Sequence, residues 1–290
     1  MKSFIEIAVN SMKNIMKLCI FITSVSAFGA VASSPLNIDT SKFVKPSEIA
    51  AINEQCSSSA SPKSKLIAVY EIVNSTHSRG KLDQALQITL LRNGNEVAHQ
   101  HPQTGITESW QLNQASQIKS TRFFDLHERA IEYQPGEKVH GKSESDWSYR
   151  NQLISDSLLK KFTTTNSINE GCGRIETKTF SNDELTMQIT WFPELSLINS
   201  FAITEKKTNG TVESWSLKSV DLSGEQITPF FKSRYDYYAT DYADIGDDHT
   251  DPFLTKMMNL GFIEHGASGF YDTNGNPMAD APNNKNRHSH

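Results

Sequence analysis

A β-rich α+β fold is expected: a curved antiparallel sheet, as an open half-barrel or a sandwich-like arrangement, built from hairpins with a few short helices. Three observations in the 290-residue sequence lead there. Short runs rich in β-branched and aromatic residues recur between Leu66 and Val220. Turn signals separate them at Asn93-Gly94, Ser181-Asn182-Asp183 and Asn209-Gly210. Strands follow one another directly, which speaks against the alternating strand and helix pattern of a parallel sheet.

The chain opens with Lys13 and Lys17, the apolar run Leu18–Ile22, and the small-x-small end Ala30-Val31-Ala32. That order is the layout of a secretory signal, and the apolar stretch is short for a membrane span. Cleavage is expected after Ala32, with Met12 or Met16 as the more compact start. Residues 33–64 are polar and read as a flexible arm, holding one short helix from Pro46 to Ile52.

The body, 65–231, is read as strands. Leu66, Ala68, Tyr70 and Ile72 fall on one face of the first strand and Ile67, Val69 and Val73 on the other, the pattern of a buried central strand. Leu86–Leu90 returns through Glu96–Ala98 across Asn93-Gly94, a pair suited to a tight hairpin turn. Ile106–Leu112, Ile118–Phe124 and Ala130–Tyr133 follow. Asp146 is placed to cap one helix, with Trp147, Ile154, Leu158 and Phe162 at helical spacing. Strands resume at Gly173–Phe180, Leu185–Phe192, Phe201–Lys206 and Thr211–Val220. Glu-Ser-Trp-x-Leu occurs twice, at 108–112 and 213–217, and either a duplicated half-sheet or chance produces such an echo.

The segment 232–278 changes character. It carries Tyr235, Tyr237, Tyr238 and Tyr242, then Asp241, Asp244, Asp247, Asp248 and Asp251 with His249. Clustered carboxylates attract calcium, and His249, joined by His265, suits a transition metal instead. The loop lacks the Asp-x-Asp-x-Asp-Gly calcium pattern. Asp251 and Pro252 independently mark a helix start, with Phe253, Leu254, Met257 and Met258 as its apolar side and Gly261 as its end. Residues 279–290 read as a disordered polar tail.

Two cysteines, Cys56 and Cys172, remain after the signal, and in an oxidising compartment an even pair is expected to be bridged. The signal also takes away Lys2, Lys13, Lys17 and Glu6, leaving 25 basic and 32 acidic side chains, a net charge of about −7. With the cations dispersed, no nucleic-acid partner is expected, nor a membrane span in the mature chain. The chain is therefore expected to be an exported, periplasmic or extracellular, non-enzymatic binding protein. Its partner would be a lipid, peptide or protein, held by Trp110, Trp215, Tyr235 and Tyr238 on a concave face. Metal binding through Asp241, Asp244, Asp247 and His249 is one alternative, with calcium or a transition metal as the cofactor. A hydrolase using Asp125, Glu128 and Glu132 is another. His99 and His101 share a strand face, expected to be exposed and polar in the absence of a nearby third metal ligand.

Overall fold

The structure, a computed structural model, describes residues 38–74, 84–139, 142–208, 210–246 and 250–263. The signal-like segment, Asp247, His249, His265 and the tail lie outside the described residues, so the acidic loop is described only in part.

Twelve strands form one open, curved sheet. Helix α1 (Ile49–Ser58) precedes β1 (Lys65–Asn74), β2 (Gln84–Asn93), β3 (Glu96–His101), β4 (Ile106–Leu112), β5 (Ile118–Phe124) and β6 (Arg129–Tyr133). The two-residue strands β7 (Lys138–Val139) and β8 (Lys142–Ser143) pair with each other alone. Helices α2 (Trp147–Gln152) and α3 (Asp156–Leu159) interrupt the strands. Then come β9 (Thr163–Ile168), β10 (Ile175–Ser181), β11 (Leu185–Phe192), β12 (Leu197–Glu205), β13 (Gly210–Asp221), α4 (Ile227–Tyr235), β14 (Tyr238–Asp241) and α5 (Pro252–Asn259).

The order across the sheet is β14-β6-β5-β4-β3-β2-β1-β13-β12-β11-β10-β9. Two meanders, β1 to β6 and β9 to β13, thus meet at an antiparallel β1–β13 seam. This explains why β1 is apolar on both faces. Its Leu66, Ala68, Tyr70 and Ile72 join the large core on the inner face, while Ile67 joins a smaller core on the outer face. The two Glu-Ser-Trp-x-Leu segments occupy different places, β4 inside the first meander and β13 at the seam.

Helix α1 and the α2–α3 region cover the inner face at one end, and α5 covers it at the other. Helix α4 packs Ile227, Phe230 and Phe231 against Ile67, Leu91 and Ala98 on the outer face. The Cys56–Cys172 disulfide is formed, with Cα atoms 6.3 Å apart, and anchors α1 beside the 3-10 turn Gly171–Gly173.

Several local expectations need correction. The first hairpin turns on Gly94-Asn95, because Asn93 pairs with Glu96, and positive φ falls on Gly94. The helix expected from Trp147 to Phe162 is broken. Asp146 does cap α2 at the Tyr149 N–H, but Leu153 turns left-handed at φ 64° and Ser155 caps a second short helix. The serines after Cys56 extend α1 to Ser58 instead of loosening the chain there. Over 38–64, moreover, Ile52 is fully buried and Val44 bridges to Val220. Helix α4 spans the boundary expected at 231, where no helix was read: its stripe Ile227, Phe230, Phe231, Arg234 includes an arginine, which hides the apolar period.

Candidate functional site

The turn between β5 and β6 builds one corner of the molecule. There the Asp125 N–H donates to the Gly105 carbonyl at 2.8 Å. The Asp125 carboxylate is buried and accepts from Thr107 Oγ1 at 2.7 Å, Arg234 Nη2 at 3.1 Å and Tyr237 OH at 3.4 Å. Arg234, wholly buried, also donates to the Phe230 carbonyl and lies over the Phe230 ring at 3.5 Å. A buried carboxylate tied to a buried guanidinium and two hydroxyls is a structural clamp between the sheet and α4. Burial, then the Asp125 charge, pushes the Tyr237 phenol up to about 12.

Around that clamp the surface is aromatic and apolar. Tyr235 and Tyr237 each meet the buried Phe123 ring edge-on, with centroids 6.1 Å apart. Leu126 packs over Gly105, whose φ of +63° and lack of a side chain give it room; a Cβ there would lie 2.7 Å from Leu126 Cγ. The Tyr238 N–H donates to the Glu128 carbonyl, and its ring lies 4.7 Å from the Arg129 guanidinium. Arg129 also lies over the Phe253 ring at 4.5 Å and pairs with Asp251 at 2.6 Å. Three of the large apolar side chains most open to solvent lie at this end of the sheet: Leu126 (65%) in the turn, Tyr235 (52%) beside Phe123 on the outer face, and Tyr238 (69%) beside Arg129 on the inner face.

A second cluster lies on the inner face between the two cores. His99 and His101 on β3 are buried, correcting the expectation of an exposed polar strand. His99 Nε2 is 2.7 Å from the Arg150 carbonyl, which only accepts, so that nitrogen carries the proton. The His99 ring contacts Trp110 at 4.7 Å, and Arg150 stacks on Trp110 at 4.0 Å while pairing with Glu144. Burial, then the Arg150 charge, lowers the His99 pKa to about 3. His101 is lowered too, by burial first. Glu108 sits opposite His99 in the register and pairs with Arg122 at 2.6 Å. Burial opposes its ionisation, but Arg122, then His101 and Arg150, hold it at about 2. Arg122 also donates to the Phe262 carbonyl just past α5. The strip thus ties both inner covers, α2 and the α5 end, to the sheet.

The four residues expected to line one concave ligand face do not share an open surface. Trp110 and Trp215 are both buried on the inner face, and Trp215 donates to Glu213 Oε1 at 2.7 Å. Four strand spacings separate β4 from β13 in the sheet, about 19 Å at ~4.8 Å per strand. Tyr235 and Tyr238 are the exposed pair. Of the proposed metal ligands, Asp241 accepts from Gln134 Nε2 at 2.8 Å and from the Ala243 N–H, and Asp244 is exposed in the 3-10 turn Tyr242–Gly246. Among the described residues no group of three His, Cys, Asp or Glu side chains is placed to hold a metal. Of the carboxylates weighed for hydrolysis, Asp125 is locked in its clamp, Glu128 sits at positive φ in the turn, and Glu132 pairs with Lys119 at 2.8 Å. Leu126, Arg234 and Arg150 were not singled out from sequence. Leu126 alone carried a usable signal, a lone aliphatic residue inside a polar turn.

No protein-family model matches the sequence, and no curated protein matches it significantly. Solved structures with some likeness include a conserved protein from Thermus thermophilus (8% identity, TM-score 0.29, covering 67% of this chain and 98% of that one). Another is the MucA/MucB complex of Pseudomonas aeruginosa (9% identity, TM-score 0.29, covering 59% of this chain and 56% of that one). A third is a DUF1329 family protein from Desulfovibrio piger (9% identity, TM-score 0.25, covering 61% of this chain and 93% of that one). At these scores no functional assignment passes from them to this chain. Among the described residues no helix is long and apolar enough to cross a membrane.

Proposed function

We propose that this chain is an exported, non-enzymatic binding protein that takes an apolar segment of a partner protein at the corner formed by Leu126, Tyr235 and Tyr238. The exposure of these three side chains at one end of the sheet, Tyr235 on its outer face, Tyr238 on its inner face and Leu126 in the turn after β5, is the observation that carries the reading. Large exposed apolar side chains gathered at one end of a molecule mark docking sites, where tyrosine is enriched. The corner is also preorganised: the Asp125–Arg234 clamp fixes the turn beneath, and Arg129 holds the Tyr238 ring. A rigid surface loses little freedom on binding, so more of the contact energy appears as affinity. Export rests on the basic, apolar and small-residue order of residues 1–32.

Titration with the apolar dye bis-ANS, followed by fluorescence, tests the site. Saturable binding to the native protein should fall about fivefold or more in a Leu126→Ser, Tyr238→Ser double variant, a loss of roughly 1 kcal/mol. The melting temperature should stay close to wild type, since both side chains are exposed. Equal dye binding by the two proteins would remove the corner from consideration.

A further inference from the structure

The sheet is open, and one of its two ends is strand β9, Thr163–Ile168. All six residues are exposed, and the run Thr-Thr-Thr-Asn-Ser-Ile contains no charge and no proline. Natural sheets commonly protect an edge with lysine, proline, a bulge or a covering element, because unpaired backbone groups invite another strand; of the devices a strand's own residues can supply, β9 has only a bulge, at Thr165. Ile168, half exposed at 50%, adds an apolar side chain to this edge. The opposite end, β14, is only four residues long.

We propose that β9 is a dimerisation edge, pairing antiparallel with β9 of a second copy of this chain about a twofold axis. Three observations favour a second copy. First, antiparallel pairing of identical strands requires that residues meeting across the axis point to the same face. A regular strand satisfies this only when the axis passes through a residue. Here the bulge at Thr165 changes the parity. Thr164 pairs with Lys178 and Ser167 with Glu176, so Thr164 and Ser167 share one face. Thr163 and Ile168, opposite Thr179 and Ile175, share the other. An axis at the bulge therefore sets Thr164 against Ser167 and Thr163 against Ile168, each pair on a common face.

Second, the ends are complementary in charge. Lys160 and Lys161 precede the strand, and Glu170 stands two residues beyond it; all three are exposed. Antiparallel pairing brings the cationic flank of each copy to the anionic flank of the other, twice per dimer. A parallel arrangement would set like charges together. Third, the pairing covers Ile168 with the methyl of the partner copy's threonine, the kind of cross-strand contact that supports a sheet. The product is a continuous sheet of two molecules, with the Leu126 corner far from the junction at the other end of each strand order.

Sedimentation equilibrium of the full chain over a wide concentration range tests this, using wild type, Lys161→Glu, Glu170→Lys and an equal mixture of the two variants. The expected result is a monomer–dimer equilibrium in wild type, weakened about tenfold in either variant alone, where two attractions become two repulsions. The mixture should recover the dimer. In the mixed pair the carboxylate introduced by one substitution faces the ammonium introduced by the other, and the native pair reforms on the second side. Recovery in the mixture also shows that both variants are folded. A wild-type mass that stays at one chain at every concentration overturns the proposal. So does a dimer whose strength ignores both charge changes, or one that the mixture fails to restore.

Discussion

At the residue scale, the inner-face histidines give the chain a defined acid sensitivity. His99 has its folded pKa pushed down to about 3 from an ordinary 6.5, by burial and then by Arg150. Between those values the unfolded chain binds a proton that the folded chain refuses, so stability falls as pH drops through that window. The contribution is full above pH 6.5 and is lost progressively on the way down. His101 acts in the same direction. Glu96 opposes them, because burial pushes its carboxyl up to about 7 and its folded form takes up a proton more readily than the unfolded one. The decisive measurement is therefore a difference. Thermal melts of wild type and His99→Gln between about pH 8 and about pH 4 should diverge, with the variant losing less stability on acidification. Parallel curves would mean that His99 does not titrate in this way. Glutamine is the informative replacement because its side-chain amide can still donate to the Arg150 carbonyl.

The elements show where local chemistry is decisive. Helix α5 starts as its sequence dictates, with Asp251 accepting from the Phe253 N–H at 2.7 Å and Pro252 in the first turn. The same carboxylate pairs with Arg129. Asp251→Ala should cost about 1–2 kcal/mol from the lost cap, with a further loss from stranding the partly buried Arg129. Urea unfolding would show it as a lower midpoint at unchanged slope. Helix α1 depends instead on a distant partner. Its disulfide closes a separation of 116 residues. In the chain-entropy model such a bridge supplies on the order of 4–5 kcal/mol, so a Cys56→Ala, Cys172→Ala variant should melt well below wild type. Equal melting of the two would place the hold on α1 in its packed side chains, of which Ile52 is fully buried.

For the whole molecule, the topology predicts one cooperative transition. Both meanders join a single sheet through β1 and β13, and the large core draws residues from both halves. Tryptophans report from either side of the seam, Trp110 on β4 and Trp191 and Trp215 on β11 and β13. Their fluorescence and the far-ultraviolet circular dichroism should follow the same urea curve. Separate midpoints would show that the meanders fold as independent units.

What was legible in the sequence was what short-range physics decides. Ile106–Leu112, Ile118–Phe124 and Leu185–Phe192 coincide with their strands residue for residue, because β-branched and aromatic residues between nearby turn signals specify them. Asp146 and Asp251 cap helices for equally local reasons, since a side-chain oxygen reaches an N–H two or three residues away. The sequence by itself also determined the antiparallel fold class and the apolar character of both faces of β1. Only tertiary structure decided that β13 is the other partner of β1, that β14 pairs parallel to β6, and that Thr163–Ile168 is a strand at all. Those pairings join segments far apart in the chain, and a polar edge strand leaves no hydrophobic period to read. Tertiary structure alone also separated the aromatics, burying Trp110 and Trp215 while leaving Tyr235 and Tyr238 outside. A tryptophan and a tyrosine suit a core and a binding surface equally well, and the choice depends on which helices cover which face of the sheet.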